Sequence, residues 1–153
     1  MSTGVTADIK EIIYYWPWGG TEPPTGSQHF AVTVQVLIGQ VGEDLADSFD
    51  IMVFSPSMLA ERYRSDHWDE DDVLPGGTVQ PLTGVWLMKA WSRAELEAAI
   101  QRVVPAFSPA PDFETVAHRI SRVIPWEYEY ERDAALNQAA GLPDTSASFW
   151  HDA

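Results

Sequence analysis

Residues Phe30 to Tyr63 read FAVTVQVLIGQVGEDLADSFDIMVFSPSMLAERY, a stretch that lays down two buried strands, an acidic connector and the start of a helix. In an extended chain Phe30, Val32, Val34, Val36 and Ile38 share one face, and Ala31, Thr33, Gln35 and Leu37 share the other. Apolar residues on both faces predict a central strand. Gly39, Gly42 and the run Glu43-Asp44-Leu45-Ala46-Asp47 interrupt the pattern before Phe49, Ile51 and Val53 resume it, so a hairpin with a loop of several residues is the economical topology. Ser55-Pro56 then has the form of an N-cap serine followed by proline at the first helical position, where the missing N–H costs nothing and the fixed φ is already helical. This predicts a short helix through Met58, Leu59, Arg62 and Tyr63. The stretch holds no recognisable catalytic group and reads as a scaffold for binding.

Outward from this centre, Ile9 to Trp16 has a β-branched and aromatic bias, ended by Pro17, Gly19, Gly20, Pro23, Pro24 and Gly26. Downstream, Asp66, Asp69, Glu70, Asp71 and Asp72, interrupted by His67 and Trp68 and followed by Pro75-Gly76-Gly77, predict an exposed irregular loop. Leu82 to Ala90 carries Val85, Trp86, Leu87 and Met88 and predicts another strand. Ser92-Arg93-Ala94-Glu95 matches a capping box, and Leu96, Ala99, Ile100 and Val103 continue at helical spacing until Pro105 stops the helix. A further helix is predicted from Asp112, with Phe113, Val116, Ala117, Ile120 and Val123 or Ile124 in one stripe, ended by Pro125. Trp126-Glu127-Tyr128-Glu129-Tyr130-Glu131 alternates strictly, which as a strand puts three aromatics on one side and three carboxylates on the other. The expected architecture is α+β, an antiparallel sheet of about four to five strands with helices packed on one face. Residues 1–133 form the expected single domain, and 134–153 a C-terminal tail.

The order Phe30…Gln35…Ile38-Gly39, then Ser48-Phe49-Asp50-Ile51…Val53…Ser55-Pro56…Leu59, is similar to the immunity protein 8 family of bacterial polymorphic toxin systems. The resemblance runs from about residue 8 to 131, taking in Ile9-Lys10-Glu11-Ile12 and a closing Trp126-Glu127-Tyr128-Glu129 that resembles the family's aromatic-acidic signature. It implies a small α+β protein, encoded beside a toxin domain, that binds this toxin and neutralises it by non-catalytic occlusion.

Composition sets bounds of its own. A chain of 153 residues, 45% of them hydrophobic, suits one domain that buries on the order of two thirds of its unfolded surface. Nine Lys plus Arg face 23 Asp plus Glu for a formal net charge of −14, which repels nucleic acid and favours a basic protein partner. There is no cysteine, hence neither a disulfide framework nor a thiolate metal site, which suits a cytoplasmic protein. Asp8, Lys10 and Glu11 break up the N-terminal segment, which does not read as a signal peptide. The apolar run from Phe30 falls far short of the roughly 20 residues of a membrane helix.

The usual short motifs of enzymes (G-x-S-x-G, the phosphate loop, G-x-G-x-x-G, H-E-x-x-H) do not occur. His118 lies off the apolar stripe of its helix and reads as solvated, while His29 and His151 lack a carboxylate or histidine at ligand spacing. His67 among its acids could gather cation ligands, but the alternating ligands and turn glycine of a calcium loop are missing. Glu127, Glu129 and Glu131 lie on one segment, whereas a glycosidase places its two carboxyls across a cleft. No enzyme, metal or cofactor is expected. The candidate partner-binding residues are Trp68 with Asp66, Asp69, Glu70, Asp71 and Asp72, an aromatic anchor amid acids, and the comb of Glu127, Glu129 and Glu131. An adaptor or chaperone for a secreted effector is the alternative of the same size and charge.

Overall fold

The computed structural model describes residues 4–64, 82, 84–128 and 138–141. The acidic segment expected to form a loop, and most of the segment expected to form a C-terminal tail, lie outside them. Four strands, β1 (Ala7–Tyr15), β2 (Ala31–Gln40), β3 (Asp47–Phe54) and β4 (Val85–Leu87), form one sheet in sequence order. β2 is central as expected, pairing antiparallel with β1 on one side and β3 on the other, with Ala31 opposite Phe54 and Ile38 opposite Asp47. The connector folds back so closely that a Cβ at Gly39 would overlap the carbonyl oxygen of Leu45, which is why glycine ends the apolar run there.

The sheet is α+β but mixed, because β4 runs parallel to β3, with Met52, Val53 and Phe54 opposite Val85, Trp86 and Leu87. The reason lies in the connection. It carries α1 (Pro56–Arg62) and exceeds the dozen or so residues that a parallel crossover needs, so no hairpin constrains the strand's direction. Of the strand read over Leu82 to Ala90, Val85–Leu87 is formed, and among the described residues Gly84 and Met88 to Ala90 lie outside it.

The closing strand read at Trp126 is also corrected. Trp126 makes one antiparallel bridge to Phe49, and Glu127 and Tyr128 are already helical. Pro125 offers β3 a carbonyl, accepting from the Asp50 N–H at 2.9 Å, but has no N–H of its own with which to extend a ladder. The Glu127 carboxylate supplies the next acceptor instead, taking the Ser48 N–H at 3.1 Å.

α2 (Arg93–Ala106) and α3 (Phe113–Ile120) cover one face of the sheet. Val32, Val34, Val36, Ile38, Phe49, Ile51 and Val53 meet Leu96, Ile100 and Val104 of α2 and Val116, Ala117 and Ile120 of α3, all of them buried. Each helix starts where its cap predicts: Ser55, Ser92 and Asp112 accept from the N–H groups of Met58, Glu95 and Thr115. Pro105 does not stop α2 but sits in its last turn. α3 ends earlier than its stripe suggested, at Ile120, and a turn carries Ile124 into the core.

α1 departs from the one-face expectation. Its Met58 and Leu59, with Tyr63, pack on Ala31, Met52 and Phe54, which belong to the opposite face. That face is therefore covered by α1 at one end.

Candidate partner-binding surface

Of the residues singled out for partner binding, Asp66, Trp68, Asp69, Glu70, Asp71, Asp72, Glu129 and Glu131 lie outside the described residues, as does His67. Glu127 is described. One of its oxygens is engaged within the protein by the Ser48 N–H, so it caps the edge of β3 as well as carrying charge.

Glu127 stands at the end of a hydrogen-bonded row that crosses three strands on the face away from α2 and α3. The Tyr15 hydroxyl donates to Gln35 Oε1 at 3.0 Å, Gln35 Nε2 donates to Ser48 Oγ at 2.8 Å, and Ser48 Oγ donates to Asp50 Oδ2 at 3.1 Å. The strands position this row by alternation: Tyr15, Thr33 and Met52 lie opposite one another, as do Ile13, Gln35 and Asp50. Asp47 joins the same end of β3, accepting from Trp126 Nε1 at 3.1 Å.

Burial pushes the Asp50 carboxyl from 3.8 up to about 6, the Glu127 charge adds to the rise, and the Ser48 hydrogen bond opposes it. A carboxyl whose folded pKa exceeds its unfolded value favours folding most at pH below the unfolded value, and that contribution is lost as pH rises through about 6. Asp50→Asn keeps an acceptor for Ser48 and removes the ionisation. The variant is expected to gain on the order of 1–2 kcal/mol at about pH 8, after allowing for screening by solvent, and little at about pH 4. Thermal melts at the two pH values check this, and an equal shift at both would contradict it.

Beside these carboxylates stands Tyr128, 56% exposed, its ring edge-on to Trp126 at 5.1 Å. Trp126 is itself buried, stacked on Phe49, and meets His118 edge-on at 5.4 Å. His118, expected to be solvated, is thus half-buried beside this aromatic group and near Glu114 at 3.6 Å. Asp47, Asp50 and Tyr128 were not singled out from the sequence. For Asp50 the available signal was that β3 turns Phe49, Ile51 and Val53 inward, so Ser48 and Asp50 must face the other way, whereas the same alternation puts Asp47 on the side of Phe49.

A second cluster looks chemical at first sight. His29 Nδ1 lies 2.8 Å from Ser57 Oγ and His29 Nε2 lies 3.0 Å from Glu61 Oε2, beside an open groove of about 450 Å³ lined by Ser27, Gln28, Pro56 and Lys89. Serine, imidazole and carboxylate in series is the pattern of an activated nucleophile. Here, however, the Ser57 hydroxyl donates to the Gln28 carbonyl at 3.0 Å, and the neighbouring Met58 N–H is taken by Ser55 Oγ. The cluster fastens the segment before β2 to α1. Among the described residues no group of three or more His, Asp or Glu is placed to hold a metal ion, and no helix is long and apolar enough to cross a membrane.

No curated protein and no solved structure matches the chain. A family model described as Immunity protein 8 does, over residues 21–130. The match takes in β2, β3, β4, α1, α2 and α3. It leaves β1 outside, whereas the resemblance read from the sequence reaches back to about residue 8. The hairpin, the Ser55-Pro56 helix start and the turn at Trp126 all fall within a match covering more than half of the molecule, and the chain belongs to the Immunity protein 8 family.

Proposed function

We propose that this protein neutralises a cognate toxin domain by binding it one-to-one and covering its active surface, with no bond made or broken. Membership of the Immunity protein 8 family makes it an immunity protein directed against a toxin, and that match carries the proposal. The net charge of −14 supports a basic toxin surface as the target. If the toxin cuts nucleic acid, its active surface must hold phosphate, and fixed carboxylates imitate that charge and speed association.

The contact residues proposed are Trp68 with Asp66, Asp69, Glu70, Asp71 and Asp72, together with Glu127, Glu129 and Glu131. Asp47, Asp50 and the exposed ring of Tyr128 extend the surface around Glu127. An apolar anchor is needed because charge sets the encounter rate and specificity more than the affinity. The protein acts in the cytoplasm, without a cofactor, a nucleic-acid ligand or a membrane. The test is to add the purified chain to the toxin domain encoded beside it and assay the toxin. Suppression at equimolar dose is expected, and a bound but fully active toxin would instead identify an adaptor or chaperone.

A further inference from the structure

The outer edge of β1 is closed at one end and open at the other. Thr6 and Val41 share a ladder bond on the β2 side, so Ala7 faces outward, and its N–H is taken by Ser108 Oγ at 2.9 Å. Val5 and Ala110 exchange backbone hydrogen bonds just before it. The bulge between Ile9 and Glu11 then shifts the register by one residue, so that Glu11, Ile13 and Tyr15 bond to β2 while Ile12 and Tyr14 turn their N–H and C=O groups outward. Among the described residues, no backbone group pairs with these two on that side.

The side chains around this open stretch are mainly acidic. Glu11 is exposed, and Glu97 accepts from the Tyr14 hydroxyl at 2.8 Å. The two cations nearby are already matched: Lys10 by Asp8 at 3.1 Å, and Arg93 by Glu97 at 3.3 Å and Glu22 at 3.5 Å. Arg93 also lies over the Tyr14 ring, 4.5 Å from its centroid. An incoming strand therefore meets unpaired backbone flanked by surplus carboxylate. A second copy of the chain would bring its own net charge of −14 against the same acids.

We infer that the open edge of β1 at Ile12 and Tyr14 receives an extended, Lys- or Arg-bearing segment of the cognate toxin, which adds a strand to the sheet. Main-chain hydrogen bonds hold such a segment, and the residues beside the edge select its side chains. Ile13, part-buried, and Tyr15, 50% exposed, offer it an apolar and aromatic shoulder on the open face. The bulge and the charged Lys10 and Glu11 limit promiscuous pairing with other strands.

This inference rests on the proposed toxin binding, and residue-resolved amide exchange separates the two. In the free chain the Ile12 and Tyr14 amides are expected to exchange fast, while Glu11, Ile13 and Tyr15 are protected by β2. In complex with the toxin domain encoded beside this chain, Ile12 and Tyr14 should slow by at least about a hundredfold. A complex that forms but leaves these two amides unchanged overturns the strand addition and spares the toxin reading. Protection of both amides already in the free chain, by its own residues or by a second copy, also overturns it. Absence of any complex overturns both.

Discussion

Replacing Asp69, Glu70, Asp71 and Asp72 together by lysine is expected to slow association with the toxin by about tenfold or more at low ionic strength. The four acids are consecutive, beside Trp68, in a chain whose net charge is −14. Reversing all four removes much of the field that would draw in the basic toxin surface proposed above. Two such surfaces are screened from each other over roughly 8–10 Å at physiological salt, so the difference between variant and parent should shrink as salt is raised. Dissociation should change less than association, because steering acts before the interface is packed. Stopped-flow mixing across a salt series measures both rates. An unchanged association rate would exclude the loop as the steering surface, and an unchanged melting temperature confirms that the fold is not at issue.

Trp91→Ala has the largest effect expected on stability. Trp91 is 1% exposed and is ringed by Tyr14 at 6.0 Å, Trp16 at 4.9 Å and Phe30 at 5.4 Å, each edge-on. It joins β1, the start of β2 and the segment before α2 through one side chain. The backbone bonds from Gly26 N–H to the Trp91 carbonyl and from Trp91 N–H to the Ser27 carbonyl would survive the substitution, so its cost isolates the packing. Truncating a buried tryptophan costs about 3–5 kcal/mol through lost burial and the cavity left behind. For a chain of this size that lowers the melting temperature by on the order of 10 °C. A loss below about 1 kcal/mol would mean that the ring cluster is not part of the cooperative core.

What the sequence disclosed was chiefly local. Ser55, Ser92 and Asp112 announce their helices because a cap acts within three residues of itself. β2 and β3 are legible because alternating apolar residues and a short connector leave one pairing that buries them. The parallel pairing of β4 was not, since the direction of a strand after a long connection is settled by tertiary contacts that periodicity does not encode. The alternation from Trp126 to Glu131 misled for a related reason. Burying Trp126 against Phe49 and lending Glu127 to the Ser48 N–H already satisfies the β3 edge there, and the chain turns helical at once. α1 carries apolar residues that either face of the sheet could have received, and only packing shows that it covers Ala31, Met52 and Phe54.

For the candidate surface, charge could be read from the sequence and geometry could not. Ser48 and Asp50 look like any solvated face of a strand, yet they end a hydrogen-bonded row from Tyr15 and place a carboxyl of raised pKa beside Glu127. The open edge at Ile12 and Tyr14 depends on a bulge that no sequence pattern marks, so it too became visible only in the fold.

The most direct test is a dose titration of the cognate toxin with this protein, reading toxin activity and then recovering the toxin from the complex. Activity should fall in proportion to the amount added and vanish at one equivalent, and toxin released by denaturation and refolding should be fully active and unchanged in mass. Complete loss of activity well below one equivalent, or a recovered toxin that has been chemically altered, would contradict neutralisation by occlusion.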